Sequence, residues 1–166
     1  MRAPFELANS VTSDQLRDTL RAFAADQAPL RLNLSPRCLG PFLALQTDEQ
    51  SQIAALQSEL LPVVEPFRAP LSNYDLARRK KAPLTERQIE LLEQWGYPYV
   101  LDELRFHMTL TGPQSSADLD RFRAAAEQHF AGFEHAADTL GLALFHQPDR
   151  QSPFRAEHYF PLGPAD

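Results

Sequence analysis

We predict a β-strand for the segment Arg105-Phe106-His107-Met108-Thr109-Leu110-Thr111, in which polar and apolar side chains alternate without interruption. Successive side chains of a strand point to opposite faces of a sheet. The apolar row is therefore expected to face the core, while the opposite row presents a cation, an imidazole and two hydroxyls. The members of this polar row are Arg105, His107, Thr109 and Thr111.

The polar row has the side chains needed to handle a phosphoryl group. An imidazole gives or takes a proton at neutral pH, which makes His107 a candidate general acid or base. The Thr109 hydroxyl lies about 7 Å further along the same face and, with Arg105, is a candidate to hold non-bridging phosphoryl oxygens. Alternation alone leaves open the alternative that this row is the solvated face of an ordinary amphipathic strand.

Two further residues are candidates for substrate binding. Thr111 is the last member of the polar row. Tyr99 has the same parity as Arg105 and His107, so it joins the row if the strand begins that early. The alternative for Tyr99 is aromatic packing between elements.

The rest of the chain predicts an α+β protein with mainly antiparallel sheet and flanking helices. Alternation or short apolar runs predict strands at residues 3–8, 30–34, 42–45, 140–145 and 159–162. Helical spacing predicts helices at residues 12–27 and 53–61, two short ones within 67–99, and one after residue 115. Pro62 and Pro66 are expected to end the second of these helices.

Length and composition fit one globular domain. The chain has 166 residues, of which 43% are hydrophobic, and this argues against a wholly disordered protein. Its formal net charge of −6 argues against non-specific binding to duplex nucleic acid, which requires a broad basic face. No run approaches the ~20 apolar residues of a membrane span, and the start lacks a secretory signal. We therefore expect a cytoplasmic protein with neither duplex nucleic acid nor a membrane as partner.

Cysteine and histidine positions argue against a metal centre. The single cysteine, Cys38, excludes an intrachain disulfide and a multi-thiolate site. None of the five histidines lies in the first 106 residues, and His129 and His135 do not have the i, i+4 spacing of a helical metal site. His146 and His158 flank the last predicted turn, and we interpret them as polar residues at strand ends. We therefore expect neither a metal nor another cofactor.

A run of four basic residues, Arg78-Arg79-Lys80-Lys81, lies in the middle of the chain. Such a run is usually a solvated helix face. The alternative is a positive lid over an anionic ligand, and the sequence leaves both open.

Four segments resemble those of a known family. They are Phe67-Arg68-Ala69-Pro70-Leu71, Leu84-Thr85-Glu86-Arg87-Gln88, Trp95-Gly96-Tyr97-Pro98-Tyr99 and Arg105-Phe106-His107-Met108-Thr109-Leu110-Thr111-Gly112. The chain resembles a bacterial family of unassigned function whose members are typically encoded beside phosphonate-utilisation genes. That family is placed in the two-histidine (2H) phosphoesterase superfamily, whose members resemble cyclic phosphodiesterases and RNA 2′,3′-cyclic-phosphate enzymes.

The resemblance implies two similar lobes around a cleft, each with a His-x-Thr on a central strand. It implies a first lobe at residues 1–66, a helical connector at 67–99 and a second lobe at 100–166. One histidine would act as base and the other as acid on a phosphodiester or cyclic phosphate, without a metal. His107-Met108-Thr109-Leu110 matches the second motif residue for residue. The implied ligand is a small phosphorylated or phosphonate-derived metabolite.

The first motif of that family should stand shortly before the Pro-Phe of the opening strand. Here Arg2-Ala3-Pro4-Phe5 matches the tail of that segment, and Met1 occupies the place just after its threonine. We therefore expect an N-terminally truncated chain with an incomplete first lobe. We also expect impaired catalysis, because a positioned acid or base contributes ~10² to 10⁴ in rate.

Two other interpretations stay open. In the first, the chain is a non-catalytic module that binds a phosphorylated metabolite. In the second, it is a homodimer in which an exposed sheet edge pairs with a second copy. The dimer would bring two His107 side chains into one cleft.

Overall fold

The computed structural model describes residues 3–30, 32–81, 83–131 and 140–164, and these form an α+β fold. Its elements in chain order are α1 (Ser13–Ala25), β1 (Ser35–Leu39), β2 (Phe42–Gln46), α2 (Gln50–Val64), α3 (Asn73–Arg79), α4 (Glu86–Trp95), β3 (His107–Thr109), α5 (Ser116–His129), β4 (Gly141–His146) and β5 (Arg155–Pro161). Single 3₁₀ turns lie at Glu65–Phe67 and Leu101–Glu103. The α+β prediction is confirmed.

The strands form two separate antiparallel sheets. In the first, β2 is central, with β1 on one side and β3 on the other. The second sheet is the hairpin of β4 and β5. Because β3 follows α4 in the chain, the three-stranded sheet joins segments that are distant in sequence.

Local signals place the ends of three helices. Capping boxes that begin at Thr12 and Thr85 start α1 and α4, and Ser115 caps α5. Gly96 ends α4 with φ 71, a left-handed conformation that glycine adopts without steric cost. The predictions for these three helices are confirmed.

The main hydrophobic core lies between α1, α2 and the β4–β5 hairpin. Its buried members are Leu16, Leu20, Ala24, Leu56, Leu60, Val64, Leu142, Phe160 and Leu162. Strands of the predicted second lobe therefore pack on helices of the predicted first lobe, and the lobe boundaries stay a prediction. A smaller buried cluster, Leu61, Leu91 and Val100, holds the segment after α4 against α2.

The predicted strand at residues 3–8 is wrong. The segment makes only an isolated bridge between Leu7 and Arg68, with hydrogen bonds from Ala8 N–H to the Phe67 carbonyl and from Ala69 N–H to the Glu6 carbonyl. The partner segment 67–69 is bounded by two prolines, at 66 and 70, which have no N–H to donate to a ladder. Pairing therefore stops after one bridge.

The first strand of the hairpin lies at Ser35–Leu39 and not at residues 30–34 as predicted. A two-residue connection joins β1 to β2, so Leu39 pairs with Phe42 and the register runs back from there. Gly40 occupies this connection with φ 55. Pro36 is tolerated within β1 because β1 is an edge strand.

α2 ends between the two prolines that are predicted to end it, Pro62 and Pro66. Pro62 lies inside the last turn, and the helix continues to Val64. Because proline has no backbone N–H, the helix lacks one hydrogen bond at this position. The turn persists because its apolar side, Leu60, Leu61 and Val64, is buried. None of the helices in the described ranges combines the length and the apolar character that a bilayer crossing needs.

Candidate functional site

His107 and Thr109 lie on one face of β3, the edge strand of the three-stranded sheet. Both side chains are exposed. Their spacing of two residues places them on the same side of the strand, as alternation predicts. The strand itself is shorter than predicted, because only residues 107–109 pair with β2.

The register of the sheet brings Arg37 to the same face. Ala44 of β2 pairs with Thr109 on one side and with Arg37 of β1 on the other. Directly opposed residues of antiparallel strands project from the same face. Ala44 is small and fully buried, so no bulky side chain stands between Thr109 and Arg37. Sequence reasoning missed Arg37, because only the hairpin register could have indicated its place.

The His107 ring is oriented by its own backbone. Its Nδ1 lies 2.7 Å from the Arg105 carbonyl oxygen. A carbonyl oxygen only accepts hydrogen bonds, so Nδ1 carries the hydrogen in this contact. The neutral ring then has its lone pair on Nε2, and this nitrogen forms no hydrogen bond within the described part of the chain. His107 thus presents a free basic nitrogen on an exposed face.

A side-chain amide fixes the backbone just before His107. Gln50, the first residue of α2, donates from Nε2 to the Phe106 carbonyl at 3.0 Å and accepts from the Phe106 N–H at 2.8 Å. The same Nε2 donates to the Thr47 carbonyl at 3.1 Å. This pair of bonds ties β3 to the start of α2. No local signal in the sequence could have identified it, because residues 50 and 106 lie far apart in the chain.

An open pocket of about 360 Å³ adjoins His107. Its polar lining comprises Arg37, Gln46, Thr47, Asp48, Gln50, Arg105 and His107, and Thr109 lies on the same sheet face but outside this lining.

The two arginines of the pocket differ in whether they form an ion pair. Arg37 donates to both carboxylate oxygens of Asp48, at 2.6 and 2.8 Å, and this guanidinium lowers the pKa of Asp48. Arg105 is exposed, and its guanidinium forms no ion pair with any described residue. Arg105 is therefore the cation that is free to meet an anionic ligand beside His107.

Two of the predicted site residues, Thr111 and Tyr99, do not line the His107 pocket. The Thr111 hydroxyl accepts a hydrogen bond from the Leu43 N–H at 3.1 Å, so it caps the sheet beyond the end of β3. Tyr99 is separated from β3 by the 3₁₀ turn at 101–103, so the strand does not begin early enough to include it. Its ring packs edge-on against Tyr97, with 5.5 Å between centroids. The condition on which Tyr99 would join the polar row is therefore not met, and its role in substrate binding stays a prediction.

The apolar row of β3 is not buried as predicted. Met108 is 44% exposed and Leu110 is 40% exposed. The reason is the position of β3 at the sheet edge, where its apolar side meets solvent.

The other histidines lie apart from this pocket. The His146 ring contacts Glu157 at 3.3 Å, between the paired strands of the second hairpin. The His129 ring packs on Phe130, and His158 is exposed on β5. His135 lies outside the described residues. Among the residues that are described, no group of three His, Cys, Asp or Glu side chains could hold a metal ion.

A comparison with protein families gives one match that spans most of the chain. The family described as "Protein of unknown function (DUF1045)" matches residues 1–155. The chain belongs to this family. No solved structure matches the DUF1045 chain significantly.

Two curated relatives of the DUF1045 chain share one printed name, "Ribose 1,5-bisphosphate phosphokinase PhnN". The protein from Janthinobacterium sp. (strain Marseille) is 41% identical over 136 residues, which cover 79% of this chain and 30% of the relative. The protein from Laribacter hongkongensis (strain HLHK9) is 35% identical over 156 residues, which cover 93% of this chain and 36% of the relative. The DUF1045 chain thus spans only about a third of the length of these relatives.

Proposed function

We propose that His107 and Thr109 form one half of a 2H-type phosphoesterase site that acts on a phosphodiester or cyclic phosphate. The observation that carries this proposal is the His107 ring, whose Nδ1 is engaged by the Arg105 carbonyl while Nε2 is free beside a pocket with an unpaired arginine. The phosphonate-related name of the two relatives supports a role in phosphonate metabolism. The resemblance of the His-x-Thr segment supports the reaction class.

The chemistry follows from the orientation of the ring. As a base, Nε2 takes a proton from the attacking water or hydroxyl while the new P–O bond forms. If His107 is instead the acid of the pair, its protonated ring gives a proton to the oxygen that leaves when the old P–O bond breaks, and the second histidine takes the proton of the attacking group. The Thr109 hydroxyl and the Arg105 guanidinium donate to non-bridging oxygens, where negative charge concentrates.

The phosphokinase activity named for the relatives is not proposed for this chain. A P-loop kinase binds nucleotide phosphates with a Gly-x₄-Gly-Lys-Ser/Thr loop. None of the six glycines of this chain begins such a motif. The matched region also covers only 30% and 36% of the two relatives, so their name describes proteins with much further sequence.

The proposal is tested by assaying hydrolysis of a cyclic ribose phosphate and a 2′,3′-cyclic nucleotide with EDTA present. The His107→Ala variant is expected to lower kcat/KM by about 10² or more, and Thr109→Val by about tenfold or more. His146→Ala is the matched control, because His146 is also an exposed strand histidine but contacts Glu157 away from the pocket. It should retain full activity.

Three results would contradict the proposal. One is full activity in His107→Ala, another is equal losses in His107→Ala and His146→Ala, and the third is activity that EDTA abolishes. Because a 2H site uses two histidines, the assay also includes the chain extended by any in-frame coding sequence upstream of Met1. A large gain on extension would support a second catalytic group in that segment.

A homodimer that completes the site is a second candidate, and the edge position of β3 favours it. Its ladder edge away from β2 is unpaired within the described residues, and the apolar Met108 and Leu110 beside it are exposed. The dimer predicts that specific activity rises with protein concentration, in step with the dimer fraction measured by light scattering. Ligand binding without turnover in every form would instead favour a non-catalytic binding module.

A further inference from the structure

Within the described part of the chain, Arg79 lacks the ion pair that Arg78 and Lys80, its two neighbours in the basic run 78–81, each form. Arg78 lies 3.5 Å from Asp75, and Lys80 lies 3.5 Å from Glu93. Arg68, on the segment before α3, lies 2.5 Å from Glu65. Arg79 is half-buried, yet no carboxylate of the described residues lies within ion-pair distance of it. An unpaired, partly desolvated guanidinium is unusual, because burial of a charge normally requires a counter-charge.

The hydrogen-bond donors of Arg79 are also mostly unused. A guanidinium has five N–H donors. Among the described residues, Arg79 donates one hydrogen bond, from an Nη to the Pro4 carbonyl at 3.2 Å. Its Nε is buried and has no acceptor. The donors that a ligand could reach are therefore the remaining Nη–H groups of Arg79.

An aromatic side chain covers one face of this guanidinium. It lies over the Tyr97 ring, 5.5 Å from the centroid. Tyr97 and Trp95 each pack against the small apolar cluster between α2 and α4. The Arg79 guanidinium is therefore held on a ring that is itself anchored in that cluster, and Trp95 is anchored in the same cluster.

The charge of Asp75 acts on this cation from a distance, but its carboxylate makes no ion pair with Arg79. Asp75, the nearest acidic residue of α3, is already held by Arg150 at 2.6 and 2.8 Å and by the Ser72 hydroxyl at 2.6 Å. Burial, and after it the charge of Arg78, lowers the pKa of the Arg79 guanidinium. A bound anion would relieve both effects.

We propose that Arg79, with Tyr97 beneath its guanidinium, binds the terminal phosphoryl or phosphonyl group of a small metabolite. The Nη–H groups of its guanidinium form a planar fork that matches two oxygens of a tetrahedral dianion. The site is separate from the His107 pocket, whose lining does not include Arg79. Gln50 contacts the segment before His107, while Leu61 packs in the cluster beside Tyr97, and about 16 Å of α2 lies between them. The proposal concerns binding only and stands without the phosphoesterase activity.

The chain provides its own probe of this site. Trp95 is the single tryptophan, so its indole N–H gives one resonance in a ¹⁵N-correlated NMR spectrum. We expect a saturable shift of this resonance on titration with methylphosphonate or ribose 5-phosphate at constant ionic strength. The tighter of these two ligands identifies the source of the dianion as a phosphonate or a phosphate monoester.

Variants assign the shift to Arg79. Arg79→Gln should weaken binding by about tenfold or more, since it removes the charged donor. Arg79→Lys keeps the charge but not the fork, and should weaken binding less than Arg79→Gln does. Arg78→Gln is the matched control, because its side chain is 56% exposed and adjacent in sequence, and it should bind like the wild type. The dispersion of the amide spectrum confirms that each variant is folded.

Four results would overturn the proposal. The first is an indole resonance that does not move up to about 10 mM of either ligand, the weakest range that a specific site would show. The second is equal affinity in Arg79→Gln and the wild type. The third is sulfate that binds as tightly as methylphosphonate. The fourth is loss of the shift in His107→Ala, which would place the ligand in the His107 pocket. By contrast, a His107→Ala variant that is inactive but still binds the ligand would support two independent sites.

Discussion

At the scale of single residues, the proposed acid–base chemistry depends on which nitrogen of His107 is free. The Arg105 carbonyl engages Nδ1 at 2.7 Å, and the Gln50 amide holds the backbone of Phe106 between them. The ring therefore has one preferred tautomer and one preferred orientation before a substrate arrives. Such preorganisation lowers the cost of reaching the reactive geometry.

The tautomer is directly measurable. We expect neutral His107 to carry its hydrogen on Nδ1, because the Arg105 carbonyl can only accept. Long-range ¹H–¹⁵N correlation spectra of the neutral ring distinguish the two nitrogens. Gln50→Leu should broaden or mix this signature, because it releases the backbone that sets the ring's position. A hydrogen on Nε2 in the wild type would contradict the assigned geometry.

At the scale of elements, the hairpin turn at Gly40 sets which residues of β1 face His107 and Thr109. Leu39 pairs with Phe42 across this turn, and the same register places Arg37 opposite Ala44. A shift by one residue would move Arg37 to the other face of the sheet. The turn therefore contributes to the site although it contacts no site residue.

Two glycines form a matched test of this turn. A Cβ would meet no atom within 4 Å at either Gly40 or Gly112, but only Gly40 has a positive φ, at 55. Gly40→Ala should therefore lower the free energy of unfolding by about 1 kcal/mol, since a left-handed alanine is strained. Gly112→Ala should leave it unchanged or raise it by about 0.5 kcal/mol. Urea denaturation measures both, and equal effects would contradict the strained turn.

The sequence predicts those elements whose positions are set by residues close to them in the chain. The helices that begin at Thr12, Thr85 and Ser115 are correctly predicted, because a cap and the helix it starts are neighbours in the chain. The strand at 3–8 is wrong because its pairing depends on prolines about 60 residues away, at positions 66 and 70. The shared face of His107 and Thr109 is predictable from alternation alone. The positions of Arg37 and Gln50 in the site are not predictable in this way, since they depend on contacts between segments that are distant in the chain.

At the scale of the whole molecule, one charged contact links α3 to the loop between β4 and β5. Arg150 of that loop donates to both carboxylate oxygens of Asp75, at 2.6 and 2.8 Å. Arg150, followed by the Ser72 hydroxyl, holds the pKa of Asp75 well below its ordinary range. The two residues are 75 positions apart, so this pair closes a long segment of the chain.

This contact predicts a pH-dependent stability. Since the pKa of Asp75 is lower in the folded than in the unfolded chain, its contribution is full above about pH 4 and falls as the pH drops below that value. Asp75→Asn should cost about 1 to 3 kcal/mol of unfolding free energy at pH 7, and the difference from the wild type should shrink at pH 3. Asp120→Asn is the control, because its pair with Arg123 is exposed, and it should change stability by about 0.5 kcal/mol or less. A difference that grows in acid would contradict the assigned sign.

We propose that His107 transfers the proton in a metal-free reaction at phosphorus. The most direct test is the ratio of kcat/KM for the wild type to that for His107→Ala on a cyclic ribose phosphate with EDTA, with His146→Ala as reference. We predict a ratio of about 10² or more for His107→Ala and a ratio near one for His146→Ala. A ratio near one for His107→Ala would contradict the account.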